Sequence, residues 1–296
     1  MSARAPGLGS PPGRSAIITE MTADRVPPPR PPLEAAALNG HIVRPDGLWR
    51  EVSVVERTGS TNADLIARAR DGAPEGLVLA AEEQTSGRGR MGRAWLSPPR
   101  AALTFSVLLR PAAVPPARRG WLPLLAGVAT AAAVRQVSGL EAQLKWPNDV
   151  LIGGRKLAGI LAEQAGDAVV VGIGVNVSTG AGELPATGPS SLAATSLLLA
   201  GSASLDRELL LRQVLAELER WYLAWRSGAG GDPQATGLRS AYLEICSTLG
   251  RDVRAELPGG QVIYGSVADI DADGRLVVAG PAGVVAVGAG DVLHVR

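Results

Sequence analysis

The sequence predicts an α+β domain followed by a small all-β module. Between residues 51 and 246, apolar segments of strand length alternate with segments whose apolar residues recur at helical spacing. From Gly250 onward only short alternating segments remain, separated by turns such as Pro258-Gly259-Gly260 and Asp273-Gly274. Before residue 48 the chain is rich in proline and shows neither pattern. We therefore expect an extension, an α+β domain and a β-module.

The first half of the α+β domain is predicted to hold three strands and two helices. The strand candidates are residues 51–56, 76–83 and 103–109. A helix is expected after Gly59, because Ser60 or Thr61 can cap its first turn and Asp64 suits the positive end of its dipole. Residues 118–138 are alanine-rich and apolar at helical spacing, which indicates a second helix.

The second half is predicted to hold four short strands and two further helices. The strand candidates are residues 142–146, 149–152, 156–163 and 168–176. Gly153-Gly154 indicates a hairpin turn between the second and third of them. Residues 205–226 carry apolar side chains along one helical face, and another helix is expected over residues 233–246.

These patterns divide the chain into residues 1–47, 48–247 and 248–296. The first part holds nine of the 22 prolines and is predicted to be a disordered or polyproline-like extension. It lacks the apolar core of a secretory signal and the three helices of a helix-turn-helix domain. Met21 is an alternative start.

Composition excludes several function classes. A net charge of +1 argues against bulk binding to nucleic acid or to a membrane surface. One cysteine, Cys246, rules out an intrachain disulfide framework, and only two histidines argue against a multi-histidine metal site. Apolar runs are too short for a transmembrane helix. We expect a cytoplasmic protein, because a single cysteine fits a reducing compartment.

Lysine is rare in this chain. Of 29 basic residues only Lys145 and Lys156 are lysine, so 27 are arginine. A lysine offers a compact ammonium with three rotatable donors, which a guanidinium cannot replace. The two lysines are therefore candidate functional residues.

The segment Gly87-Arg88-Gly89-Arg90-Met91-Gly92-Arg93 alternates glycines with arginines. Bare backbone N–H groups and guanidiniums suit an anion such as phosphate. Trp95 follows closely and is expected to cover an apolar ligand face. A nucleic-acid-binding Arg-Gly tract is a weaker interpretation, because such tracts are longer and lie outside folded domains.

Both lysines lie near Asn148 and Asp149, whose oxygens could bind Mg²⁺ or orient an amine.

Two other motifs are misleading. Asp269-x-Asp271-x-Asp273-Gly274 lacks the glutamate that ends an EF-hand loop and is interpreted as a hairpin turn. Gly172-Ile173-Gly174 lacks the third glycine of a dinucleotide-binding loop.

Four motifs taken together resemble those of the biotin protein ligase family, the biotin–[acetyl-CoA-carboxylase] ligases. They are Gly59-Ser60-Thr61-Asn62, Gln84 through Arg93, Lys145-Trp146-Pro147-Asn148-Asp149, and Arg155-Lys156-Leu157-Ala158-Gly159-Ile160-Leu161. The resemblance covers about residues 48–296. It implies a catalytic domain similar to class II aminoacyl-tRNA synthetases, with a mixed sheet, and an SH3-like C-terminal barrel.

The resemblance also implies a reaction. Family members activate biotin with MgATP to biotinyl-5′-AMP and pass it to a lysine of a carrier protein. Biotin, ATP and Mg²⁺ are thus the expected ligands, and a biotin carrier domain of an acyl-CoA carboxylase is the expected partner. No DNA or membrane partner is expected, since a Pro-rich tail replaces the helix-turn-helix of the repressor members. A monomer or weak homodimer is expected.

The residues of the biotin and nucleotide sites follow from the same resemblance. Ser60, Thr61 and Gln84 would bind the ureido ring of biotin, Asn62 and Gly159 would join that site, and Trp95 would wall it. Gly87 and Gly89 would let the loop fold over the adenylate. Arg88 and Arg90 would meet phosphate, and Asn176 would contact the adenine.

The implied catalytic residues are Lys156, Asp149, Lys145 and Arg88. Lys156 would hold the biotin carboxylate and the α-phosphate, and Lys145 would act on phosphates. Asp149 would orient and help deprotonate the incoming amine, with Asn148 and Asp149 as the Mg²⁺ ligands. Met91 occupies a position that is often basic in the family, so the grip of the loop is expected to differ.

Two alternatives stay open. A lipoate or octanoate ligase of the same superfamily would share the lysine motif. A non-catalytic biotin-responsive regulator would bind biotin without transferring it.

Overall fold

The computed structural model describes residues 28–186, 192–228, 230–257, 260–281, 283–288 and 290–295. Its centre is a seven-stranded mixed sheet with the strand order β1-β2-β3-β7-β6-β5-β4. Only β1 and β2 pair in parallel. The strands are β1 (Glu51–Thr58), β2 (Leu77–Gln84), β3 (Ala102–Leu109), β4 (Ala142–Lys145), β5 (Asp149–Ile152), β6 (Arg155–Ala165) and β7 (Ala168–Asn176).

Helices cover both faces of this sheet. One face packs against α2, where Leu65 and Ala69 meet Leu79, Leu108 and Val170. The other face carries the main core and packs against the remaining helices. The helices are α1 (Ala35–Ile42), α2 (Thr61–Arg70), α3 (Trp121–Ser138), α4 (Arg207–Ser227) and α5 (Leu238–Glu244).

Five antiparallel strands form a separate C-terminal sheet in the order β11-β10-β9-β8-β12. They are β8 (Asp252–Glu256), β9 (Val262–Ile270), β10 (Leu276–Gly280), β11 (Gly283–Val287) and β12 (Asp291–His294). The predicted mixed sheet and β-module are thereby confirmed. The acidic turn between β9 and β10 is a hairpin turn as expected, with Asp271 Oδ1 accepting from the backbone N–H groups of Asp273 and Arg275.

Two indoles attach this turn to the larger domain. The Trp121 indole N–H lies between the carbonyl oxygens of Asp271 and Ala272, at 3.2 and 3.0 Å. The Trp146 indole donates to the carbonyl of Gly274 at 3.0 Å. Both tryptophans are buried, so these bonds form inside an apolar contact. The turn is therefore held at a defined place beside the Trp146-Pro147 segment.

The prediction of a disordered extension over residues 1–47 is wrong for residues 28–47, whereas residues 1–27 lie outside the described part. α1 buries Leu38 and Ile42 against the main core. The side chain of Asn39 also bonds both the N–H and the carbonyl of Val52. Tertiary contacts of this kind stabilise an eight-residue helix that is too short to form alone. Because residues 1–47 are rich in proline, the sequence pattern did not indicate this helix.

A buried ion pair holds the start of this segment. Glu82 of β2 and Arg207 of α4 approach to 2.6 Å with side chains that are 1% and 4% exposed. Glu82 also accepts from the N–H of Leu33, and Arg207 donates to the carbonyls of Pro31 and Ala102. Four segments of the chain thus meet at one pair of charges.

Replacing Arg207 with methionine should lower the free energy of unfolding by about 3–5 kcal/mol, because the buried Glu82 carboxylate loses its counter-charge. Arg57→Ala is the matched control: Arg57 pairs with Glu83 on the next position of the strand but is 65% exposed, so about 1 kcal/mol or less is expected. Equilibrium denaturation measures both. Equal losses would contradict the role given to burial.

Candidate active site

A single pocket of about 240 Å³ gathers most of the residues predicted for the site. It lies where α2 begins, beside the loop after β2 and over β3, β6 and β7. The predicted residues that line it are Ser60, Thr61, Asn62, Gln84, Arg88, Gly89, Arg90, Trp95, Asn148, Lys156, Gly159 and Asn176. Gly87 lies behind this lining, where its carbonyl accepts from the N–H of Trp95.

The first turn of α2 supplies the polar end of the pocket. Ser60 is the N-cap and accepts weakly from the N–H of Ala63 at 3.5 Å. Gln84 Oε1 accepts from the N–H of Thr61 at 2.8 Å and lies 3.0 Å from the Thr61 hydroxyl oxygen. Because the Thr61 N–H needs an acceptor, this oxygen is fixed and the amide N–H₂ of Gln84 stays available to a ligand.

The donor and the acceptor of each hydrogen bond behind Thr61 can be assigned. Asn62 Nδ2 donates to Glu163 at 2.7 Å, so Asn62 Oδ1 is the acceptor of a 2.6 Å bond from the Ser106 hydroxyl. Ser106 has then used its proton, and it accepts from Thr61 at 2.7 Å. The one proton of the Thr61 hydroxyl is therefore directed at Ser106. Only a lone pair of Thr61 is left to face a ligand.

Trp95 lies on a floor made by two glycines. Gly159 of β6 and Gly174 of β7 are direct cross-strand partners. A Cβ at Gly174 would overlap the indole, and one at Gly159 would lie 3.3 Å from it. The Trp95 indole N–H is buried with no partner among the described residues.

The glycine–arginine loop is a small hairpin. Arg88 and Ala94 form an isolated bridge, and the N–H of Gly89 donates to the carbonyl of Arg93 at 2.6 Å. Met91 sits at the tip with a φ of 54°, a left-handed conformation that is costly for a side chain of this kind. Arg88 and Met91 are exposed, whereas Arg90 is half-buried. The loop presents guanidiniums at the pocket mouth.

Lys156 and Asp149 form an ion pair of 2.6 Å at the pocket wall, on the neighbouring strands β6 and β5. Their side chains are 30% and 16% exposed. The backbone of Lys156 is fixed from a second side, because its N–H and carbonyl bond Ala193 and Thr195. A compact ammonium is thereby held between a carboxylate and the open pocket.

Asn176 ends β7 at the far side of the pocket. Its amide Nδ2 donates to the carbonyl of Thr195 at 2.9 Å, which leaves Oδ1 as an acceptor for a ligand. Ser106 and Asn176 mark the two ends of the pocket. Ser106 of β3 pairs with Gly172 of β7, and Asn176 lies four residues further along β7. That spacing corresponds to about 13 Å.

The two predicted Mg²⁺ ligands each lie beside a positively charged side chain. Asp149 is occupied by the Lys156 ammonium, and Asn148 Oδ1 faces the guanidinium of Arg90 at 3.5 Å. The described residues contain no cluster of three or more His, Cys, Asp or Glu side chains suited to a metal ion. Cations therefore lie beside both oxygens, and the assignment of Asn148 and Asp149 to Mg²⁺ stays a prediction.

Lys145 lies outside the pocket lining. Lys145 is the last residue of β4. Its positive charge acts on His294: burial, together with the charges of Lys145 and Arg251, lowers the pKa of that imidazole. The predicted action of Lys145 on phosphates stays a prediction.

Sequence reasoning missed two parts of the site. Ser106 is fully buried in β3, and nothing in the pattern of an apolar strand distinguishes a structural serine from one that orders a hydrogen-bond network. Pro185, Ala186 and Leu192 also line the pocket, although no motif marks them.

Comparison with known proteins identifies the group to which these features belong. Residues 54–179 match the biotin/lipoate A/B protein ligase family, and residues 248–295 match the biotin protein ligase C-terminal domain. A biotin–[acetyl-CoA-carboxylase] ligase of Mycobacterium tuberculosis is 45% identical over 90% of this chain and 97% of its own length. The chain belongs to the biotin protein ligase family.

Two further relatives of the biotin protein ligase family extend the comparison. A biotin–[acetyl-CoA-carboxylase] ligase of Paracoccus denitrificans is 35% identical over 78% of this chain and 95% of its own. The structure of an Aquifex aeolicus biotin protein ligase in complex with biotin and ATP is 26% identical. It superposes with a TM-score of 0.66, covering 84% of this chain and all of that one.

None of the described helices is long and apolar enough to cross a lipid bilayer.

Replacing Ser106 with alanine should weaken the affinity for biotin, the ligand that gives the family its name, about tenfold. The change orphans Asn62 Oδ1 and frees the Thr61 proton, at a cost of about 1–2 kcal/mol. We expect KM for biotin to rise while kcat stays near the wild-type value.

The matched control is Ser138→Ala, which removes another buried hydroxyl at the end of α3, far from the pocket. An equal rise in KM for both variants would show that the effect is one of general stability.

Proposed function

We propose that the pocket binds biotin with its ureido ring at the Thr61 end and the nucleotide at the Asn176 end. The enzyme is a biotin ligase: it activates biotin with ATP to biotinyl-5′-AMP and transfers biotin to a lysine of a carrier protein. The observation that carries this assignment is the fixed polarity of the network around Thr61, with a lone pair on Thr61 and amide hydrogens on Gln84.

This polarity favours biotin over lipoate. A ureido ring carries N–H donors for Thr61 and a carbonyl acceptor for Gln84. A lipoyl ring has neither, so burying it here would leave polar groups unpaired at a cost of about 1–3 kcal/mol each. The alternative of a lipoate or octanoate ligase is therefore less well supported.

Activation joins two anions. A carboxylate oxygen of biotin forms a bond to the α-phosphorus of ATP, and the bond from that phosphorus to pyrophosphate breaks. Lys156 and the arginines of the loop at the pocket mouth supply the positive charge that both reactants need. Magnesium enters on the phosphate oxygens of ATP and neutralises part of their charge.

Transfer releases AMP. The acceptor amine attacks the acyl carbon, the bond from that carbon to the AMP oxygen breaks, and the amine loses a proton. The Asp149 carboxylate at the pocket wall is paired with Lys156 before substrate arrives. When Lys156 turns to the substrate carboxylate and phosphate, Asp149 becomes free to accept the amine proton.

A second cavity offers the acceptor lysine a way in. It shares Arg88, Arg90 and Asn148 with the first and continues between the loop and the Asp273-Gly274 turn. We assign the biotin carrier domain of an acyl-CoA carboxylase to this side. A cytoplasmic location and a monomer or weak dimer complete the proposal.

An exchange assay tests the reaction directly. Purified protein with MgATP should exchange labelled pyrophosphate into ATP when biotin is present and not when lipoate replaces it. With a biotin carrier domain, one lysine should gain one biotin, detected by intact mass. Exchange that depends on lipoate, or none with either acid, would contradict the proposal.

Lys156→Arg should lower kcat for adenylation about 10²–10³-fold although the charge is kept. A planar guanidinium cannot reproduce the compact charge and three rotatable donors that Lys156 places 2.6 Å from Asp149. Arg155→Lys, a neighbouring exposed position, is the control and should retain activity. Similar losses in both variants would refute a special need for the ammonium at position 156.

Trypsin should cut the ligand-free protein between Arg88 and Arg93, because these arginines project from an exposed hairpin. Biotin with MgATP should slow this cleavage, since phosphate would engage the guanidiniums. Mass spectrometry of timed digests gives the answer. Unchanged cleavage would count against contact between this loop and the adenylate.

A further inference from the structure

One wall of the pocket follows directly after Asn176. The chain leaves β7, passes Ser178, makes a short helical turn over Ala181–Glu183, and returns to line the pocket with Pro185 and Ala186. The residue at the nucleotide end and this wall are therefore parts of one continuous segment, residues 176–186.

Arg30 holds this segment at two points. Its Nε and Nη2 atoms donate to the hydroxyl and the carbonyl of Ser178, at 3.1 and 3.0 Å. Its Nη1 and Nη2 atoms donate to the two carboxylate oxygens of Glu183, at 3.2 and 2.6 Å. A planar guanidinium suits such a two-sided contact, which fixes orientation as well as distance.

Further contacts hold both Arg30 and Glu183 in place. The Arg30 side chain is only 17% exposed, and its guanidinium lowers the pKa of the Glu183 carboxyl. Glu183 also accepts from the N–H of Gly180 at 2.8 Å, which closes the turn on itself. Arg30 is followed by Pro31 and Leu33, whose backbone is fixed by the Glu82–Arg207 pair.

The two ends of the segment are anchored differently. Backbone and side-chain bonds tie Ser178 and Thr179 to Ala101 and Ser196, independently of Arg30. The hydrogen bonds of Gly180 and Glu183 within the described residues are internal to the turn, apart from those with Arg30. Among the described residues, the Arg30 guanidinium thus supplies the hydrogen bonds from Glu183 to the rest of the protein.

We propose that Arg30 is a positioning residue for the nucleotide end of the active site. It fixes the wall formed by Pro185 and Ala186, against which the adenylate is retained until the acceptor amine arrives. This inference rests on the proposed function, because that function places the nucleotide beside Asn176. Residue 30 lies outside both matched family models, which begin at residues 54 and 248.

Arg30→Ala should raise KM for ATP in the exchange assay about tenfold and speed the release of biotinyl-5′-AMP in the absence of a carrier by a similar factor. KM for biotin should change less than twofold, because the Thr61 network lies at the other end of the pocket. Wild-type exchange with biotin is measured first, so that failure of the proposed function would show in the unmodified protein.

Arg44→Ala is the matched control. Arg44 belongs to the same N-terminal part of the chain and pairs with Glu219 at 2.7 Å, away from the pocket. It should leave both KM values and adenylate release unchanged. Glu183→Ala should raise KM for ATP, and adding it to Arg30→Ala should raise KM by less than the sum of the single effects, because the two side chains share an ion pair.

Three results would overturn the inference. They are an unchanged KM for ATP and adenylate release in Arg30→Ala, an equal rise in both KM values, and additive effects of the Arg30 and Glu183 substitutions. Equilibrium denaturation of each variant separates a local loosening from loss of the folded state.

Discussion

The carboxylate of Glu82, buried in an apolar core, constrains much of this molecule. A lone charge there would be very costly, so Arg207 of α4, the backbone of Leu33 and the chain near Pro31 must all converge on it. That convergence brings the N-terminal segment over the sheet and fixes α4 against β2 and β3. It also points Arg30 at the loop after β7. A pair of charges buried for structural reasons thereby sets the position of groups near the ligand.

The sequence predicts the strands and long helices well because their apolar periodicity is strong. The Gly153-Gly154 hairpin is also found, since both residues adopt the left-handed backbone that glycine permits. The order of the strands in the sheet is not contained in local patterns. α1 is not predicted from the sequence, because its eight residues show little apolar periodicity. Its stability comes from contacts with residues distant in sequence.

The candidate site shows the same division. Motif residues such as Gln84, Trp95 and Lys156 meet in one pocket, as the resemblance implies. Their hydrogen-bond directions depend on partners that no motif contains, above all Ser106 and Glu163. The sequence shows that Asn148 and Asp149 carry oxygens, but not that Arg90 and Lys156 lie beside them. Residue type suggests the chemistry, and three-dimensional pairing decides which atoms are available for it.

The attachment of the β-module has an evolutionary consequence. Trp121 and Trp146 grip the turn between β9 and β10 through its main-chain carbonyls. Carbonyl groups are common to every amino acid, so these bonds themselves do not constrain side-chain identity, although Asp271 and Gly274 are still needed for the shape of the turn. The rest of the module is thereby released to diversify toward whatever carrier surface the host presents. Exchange of this module between relatives would need a turn of the same shape and a partner for Arg239, which bonds Ile270 and pairs with Asp269.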